Sequence, residues 1–271
     1  MNYHSDEWIM EQIQRHYNEA LKYYHSDRIV GVFCQGSTNY GLDTINSDID
    51  TKCIITPTFE EIAMNKKPVS TTHILDNNEH LDAKDIRLYI QTFAKQNLNF
   101  LEILFTPYKI INPLYESEWN KLIANREAIA RMNPYRGVKS MKGIALEKYH
   151  AMEHRYPSKV DIIDAYGYDG KQVSHLIRVY DYLVRYIADE DYESCLYPSE
   201  KFISRIIDYK KLDKISLECA RAEAKLFKNA VEQVADKYCE GKEEKEDSYC
   251  RALLNEVQLE IMKIAMRLED I

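Results

Sequence analysis

The sequence predicts a mixed α+β chain. A small mixed sheet with flanking helices occupies residues 1–110, and an all-helical region follows over 111–271. Three observations predict it. An apolar β-rich run at Ile29–Phe33 is answered by a second at Cys53–Ile55. Val69–Leu75 and Glu79–Lys84 alternate as strands around the turn-forming triplet Asp76-Asn77-Asn78. Beyond the bracketing Pro107 and Pro113, only helical patterns remain.

Taken in order, Ser5–Tyr24 reads as an amphipathic helix. Ser5 or Asp6 serves as cap, and Ile9, Ile13, Tyr17 and Leu21 share one face. Arg28–Pro57 then reads as strand, glycine turn, short helix, strand. Gly36-Ser37 ends the first strand and Gly41 closes the short helix. Without a side chain at Gly36, a phosphate can approach the backbone. Ser37 adds a hydroxyl and an N–H at a helix start, where anions are favoured. At the opening of the second strand stand Ser47-Asp48-Ile49-Asp50. Residues two apart on a strand share a face, so Asp48 and Asp50 project together while Ile49 turns to the core. Two parallel carboxylates repel each other, and a divalent cation between them gives the pair a physical reason.

The segment GSTNYGLDTINSDID resembles the G-S-x-x-x-G-x-x-x-x-x-S-D-x-D signature of nucleotidyltransferases of the DNA polymerase beta superfamily. Gly36, Ser37, Gly41, Ser47, Asp48 and Asp50 fill the fixed positions. The resemblance implies a third carboxylate on a neighbouring strand. Asp82, on the polar face of Glu79–Lys84, is the choice for it. Its rival Asp85 precedes the helical pattern Ile86, Ile90, Phe93, Ala94 and reads better as an N-cap.

Thr58–Ile62 reads as a helix start that Asn65–Pro68 breaks. Asn97–Phe105 reads as a helix under the sheet. Its N-x-N-x-L-E-x-L-F pattern resembles one branch of the superfamily, predicted bacterial and phage nucleotidyltransferases that are in some cases encoded beside RNA-repair enzymes. By that analogy Glu102 is a candidate functional residue, with a helix-surface or capping role as the alternative. The domain boundary falls in Tyr108–Asn112. Tyr115–Ala130 reads as one helix, and Tyr135–Arg155 as a second between Pro134 and Pro157. Lys139 and Lys142 on that helix form a weak second cationic edge.

Gly170 opens a further helix on which Lys171, His175 and Arg178 are spaced i, i+4, i+7 and share a face. Such a face suits a triphosphate, with lysine as a point charge and arginine as a fork. A solvated basic face is the plain alternative. The resembling branch carries the same Asp-x-Lys-x-x-x-His-x-x-Arg pattern, and the resemblance then covers Arg28–Tyr182. From Ser199 to Ile271 the chain reads as helices with turns near Asp213 and Gly241.

A formal net charge of −8 excludes a global basic footprint for nucleic acid, although not a local patch. The six cysteines form no C-x-x-C pair and read as reduced thiols of a cytoplasmic protein. The charged N-terminus does not read as a signal peptide, and no apolar run is long enough to cross a membrane.

The resemblance implies nucleotidyl transfer. Two divalent ions about 3.5–4 Å apart, Mg²⁺ or Mn²⁺, are held by Asp48, Asp50 and Asp82. Gly36, Ser37 and Ser47 sit against the phosphates, with Lys171, His175 and Arg178 on the helical side. The donor is an NTP, with ATP expected. The acceptor stays open between an RNA end, a protein hydroxyl and a small molecule, and a non-catalytic nucleotide-binding module is the alternative of another class.

Overall fold

The computed structural model describes residues 3–45, 47–211 and 214–269, so the turn expected at Asp213 lies outside the described residues. Helix α1 (Asp6–Ala20) leads into strand β1 (Ile29–Gln35), a 3₁₀ turn (Ser37–Tyr40) and strand β2 (Asp50–Ile55). Helix α2 (Phe59–Ala63) precedes the hairpin of β3 (Ser70–Ile74) and β4 (His80–Asp85). Helices α3 (Ile86–Ala94) and α4 (Leu98–Leu101), strand β5 (Lys109–Ile111), and helices α5 (Glu116–Ala124) and α6 (Arg126–Ala130) follow. The rest is helical: α7 (Pro134–Ala151), α8 (Val160–Tyr166), α9 (Gly170–Ile187), α10 (Tyr192–Leu196), α11 (Glu200–Lys210), α12 (Leu217–Cys239) and α13 (Ser248–Glu269). The fold class is therefore mixed α+β with a helical C-terminal region.

The chain divides into two compact units. The first is Met1–Asn133 together with Glu246–Ile271, and the second is Pro134–Lys245. The division by compactness thus falls after Asn133 and not at 110, and α13 returns to the first unit, where it packs on α3 and α5. A linear reading misses this return, because an amphipathic helix does not announce which partner it covers.

The first unit holds one five-stranded sheet of order β3-β4-β2-β1-β5. β2 and β4 run parallel and the other neighbours antiparallel. Helix α1 covers one face. Ser5 caps it by accepting the Trp8 N–H at 3.2 Å. Its buried stripe is Ile9, Ile13, His16 and Ala20. Ile9, Ile13 and Ala20 pack with Ile49 and with Val32, Cys34, Cys53, Leu81 and Ala83 from the strands. Each fully buried isoleucine contributes about 1.5–3 kcal/mol. The helix ends short of the expected Tyr24, and Leu21 is exposed. On the other face Phe33 meets Trp119 at 4.8 Å between ring centroids.

Where Tyr115–Ala130 was expected as one helix, Asn125 (φ −110°, ψ 14°) breaks it into α5 and α6. Its side chain donates to the Lys121 carbonyl at 2.9 Å, an alternative to continuing the helix. Pro134, expected as a breaker, is the first residue of α7, where its missing N–H is harmless. In the second unit α9 is central and packs against α7, α10, α11 and α12. All six cysteines are free thiols. No helix among the described residues is long and apolar enough to cross a membrane.

Candidate functional site

β1 delivers the glycine turn. At Gly36 the backbone takes φ 90°, ψ −153°, a conformation open essentially to glycine alone. A Cβ there meets nothing within 4 Å, so the dihedral, not crowding, demands glycine. The 3₁₀ turn closes at Gly41, whose N–H donates to the Ser37 carbonyl. The Ser37 N–H is one of the amides that such a turn leaves without an internal partner. The Gly36 N–H is different, because it donates to Glu102 Oε1 at 3.3 Å. The Tyr40 hydroxyl donates to the other oxygen of the same carboxylate. Glu102 is the C-cap residue of α4 through its backbone, as one expectation had it, but its side chain is not on the surface. It is 3% exposed and braces both ends of the glycine turn. Ser47 faces its own loop, its hydroxyl accepting the Thr44 N–H at 2.8 Å.

Ile49 is fully buried, Asp48 is exposed and Asp50 is half-buried. Asp50 opens β2 opposite Gln35, the last residue before Gly36, so one carboxylate sits beside the turn. Its Oδ1 accepts the His80 N–H at 2.8 Å, and His80 Nδ1 lies 3.4 Å from the same oxygen. The segment is anchored from below. Glu79 Oε1 accepts the Ile49 N–H at 3.0 Å, while its Oε2 meets His16 Nε2 at 2.9 Å and the Arg15 guanidinium. His16 Nδ1 in turn lies 2.8 Å from the Thr51 hydroxyl. Burial raises the Glu79 pKa, but the hydrogen bonds from His16, Ile49, Asn77 and Arg15 outweigh it and bring it down to about 2.

The parallel register of β2 and β4 pairs Lys52 with Asp82 and so puts Asp82 on the face that carries Asp50. Asp82 Oδ1 accepts the Thr72 hydroxyl at 2.5 Å, and Lys52 Nζ lies 3.8 Å from Oδ2. Asp85 points to the opposite face. It is 1% exposed, caps α3 through the Arg87 N–H at 2.8 Å, and pairs with the Arg87 guanidinium at 2.6 Å. Lys52 and Lys84 each stand 4.3 Å from the centroid of the Phe100 ring. Burial pushes the Lys52 ammonium pKa down, against Glu102, Asp82 and Asp50.

No group of three or more His, Cys, Asp or Glu among the described residues is placed to hold a metal ion. The expected set of Asp48, Asp50 and Asp82 is not gathered into one protein-only cage. Asp48 and Asp50 still fit a Mg²⁺ that arrives on phosphates, since that ion takes one or two carboxylates and leaves the rest to substrate and water.

In the second unit Asp169 caps α9 by accepting the Lys171 N–H at 2.9 Å. The three residues of the expected basic face are not equally placed. Lys171 is exposed, His175 half-buried, and Arg178 4% exposed, because α9 is buried on most sides. Burial, then Arg178, Lys171, Lys148 and Lys210, holds the His175 pKa well below the usual range, so it carries no charge at neutral pH. Lys142 pairs with Asp236 at 2.6 Å, and Lys139 sits 4.6 Å from the Tyr135 ring centroid. These lysines meet partners within the second unit.

Glu79, His16, Arg15, Lys84 and Phe100 were missed from sequence. Lys52 had a signal, being two residues beyond Asp50 on the same strand.

No protein-family model matches the sequence, and no curated protein does. Among solved structures the chain is similar to a nucleotidyltransferase-like protein from Exiguobacterium sibiricum, at 13% identity over 84% of this chain and 75% of that one, with a TM-score of 0.29.

Proposed function

We propose that the chain transfers a nucleoside monophosphate from an NTP to an acceptor hydroxyl and releases pyrophosphate. One observation carries the reading. β1 and β2 set a glycine turn beside Asp50, while buried Ile49 turns Asp48 and Asp50 away from the core. In the reaction the acceptor oxygen forms a bond to the α-phosphorus, and the bond to the bridging oxygen breaks. The acceptor proton leaves to a carboxylate or solvent, and the leaving pyrophosphate takes the electron pair. A divalent cation, Mg²⁺ or Mn²⁺, supplies charge neutralisation on the phosphates when bound. Asp48 and Asp50 would hold it. Asp82 orients Lys52 on the same face, and the Ser37 N–H faces a phosphate oxygen. The net charge of −8 favours a protein, a small molecule or a short RNA end over a long nucleic-acid track as acceptor.

Incubation with each labelled NTP, Mg²⁺, and total cellular RNA and protein tests this. Label in one fraction with pyrophosphate release supports transfer and identifies the acceptor class. A second reading, a nucleotide-binding module without catalysis, is favoured by the pairing of Asp82 with Lys52, with no three-carboxylate cluster among the described residues. NTP binding without label in any fraction would select it.

A further inference from the structure

The face beside Asp50 holds two lysines that the carboxylates and the glycine turn do not require. Lys52 is 4% exposed. Among the described residues its ammonium has Asp82 Oδ2 at 3.8 Å and the Phe100 ring at 4.3 Å, and the first distance is beyond hydrogen-bond reach. The ammonium is thus held by one long ion pair and a ring face, and burying a charge with so loose a partner is costly. Lys84 stands 4.3 Å from the same ring centroid and has no ion pair of its own among the described residues.

The register explains the pairing. Lys52 lies beside Asp82 and Lys84 beside Ile54, so the two lysines sit diagonally on one face. Like charges gathered in a half-dry site repel. Covering Phe100 needs only apolar side chains, and of the carboxylates that act on Lys52, namely Glu102, Asp82 and Asp50, Asp82 alone among the described residues forms an ion pair with it, at 3.8 Å. An oxyanion with several acceptor oxygens offers acceptors to both lysines and offsets their repulsion.

We infer that Lys52 and Lys84 form a phosphate-binding subsite that takes the pyrophosphate portion of a nucleoside triphosphate beside Asp50. The triphosphate as the source rests on the nucleotidyl-transfer reading, while the oxyanion chemistry rests on the lysines themselves. The subsite puts the triphosphate's cationic partners inside the first unit, on the strands that carry Asp50 and Asp82.

Titration calorimetry of the full chain in Mg²⁺ buffer, with pyrophosphate, ATP and adenosine as separate ligands, tests it. Wild type binds pyrophosphate. Lys52→Met and Lys84→Gln each weaken pyrophosphate and ATP about tenfold or more and leave adenosine unchanged. Lys84→Arg retains the pyrophosphate affinity. Lys84→Gln, at the less buried position, keeps the test valid where Lys52→Met does not fold. No pyrophosphate binding by wild type overturns the subsite, as does unchanged affinity in Lys84→Gln. Binding and transfer fail separately. A wild type that binds pyrophosphate through the lysines but labels no acceptor keeps the subsite and removes the transfer reading. One that labels an acceptor while its lysine variants bind pyrophosphate normally does the reverse.

Discussion

Glu79 accepts the backbone N–H of Ile49 at 3.0 Å, and this one bond ties the start of β4 to the residue between Asp48 and Asp50. The two aspartates keep their outward direction because the amide between them is held from the core side. Glu79→Gln should therefore destabilise the protein by about 1–3 kcal/mol at neutral pH. The sign with pH follows from the folded pKa of about 2 against an ordinary 4.5. A depressed carboxylate stabilises above its unfolded pKa, and that contribution fades as pH falls from 4.5 towards 2. Urea unfolding of both proteins across this window should show the gap closing. A gap independent of pH would mean that Glu79 does not act as an ionised anchor.

Gly36→Ala should lower stability by roughly 1–3 kcal/mol, through dihedral strain and not through a clash. Thermal unfolding reads this directly. An unchanged melting temperature would show that the turn relaxes without the positive φ.

Asp48→Asn and Asp50→Asn should each reduce transfer by on the order of 10²-fold or more. Apo melting temperatures should hold or rise as carboxylate repulsion is relieved. Wild-type turnover in both variants would remove these residues from the site.

Asp82→Asn should damage transfer with little change in stability, since its side chain is 34% exposed. Asp85→Ala should cost about 0.5–2 kcal/mol for the lost cap, with further loss from stranding Arg87. Parallel rate and melting measurements separate the two. The reverse pattern would exchange their roles.

What was legible in the sequence was local. The alternation around Ile49, the cap at Asp85 and the hairpin around Asp76-Asn77-Asn78 all follow from spacing within a few residues. Lys52 was equally readable from that alternation, but a lysine at a strand's polar position is ordinarily solvated. The Glu102 bond to Gly36 spans 66 residues and the Glu79 bond to Ile49 spans 30. Periodicity carries no such pairing, and a glutamate reads alike whether it braces a turn or faces water. The break at Asn125 was missed because its neighbours keep the helical pattern on both sides.

The second unit is inserted between Asn133 and Glu246, and the Asp247 N–H donates to the Met132 carbonyl at 2.7 Å, so the chain leaves and re-enters the first unit at adjacent points. Synthesis runs from the N-terminus, so every strand of the sheet emerges from the ribosome before α13 exists to cover α3 and α5. The inserted unit has all its helices earlier and is free to fold while the first is still waiting. For that interval the apolar faces of α3 and α5 lack the helix that packs on them.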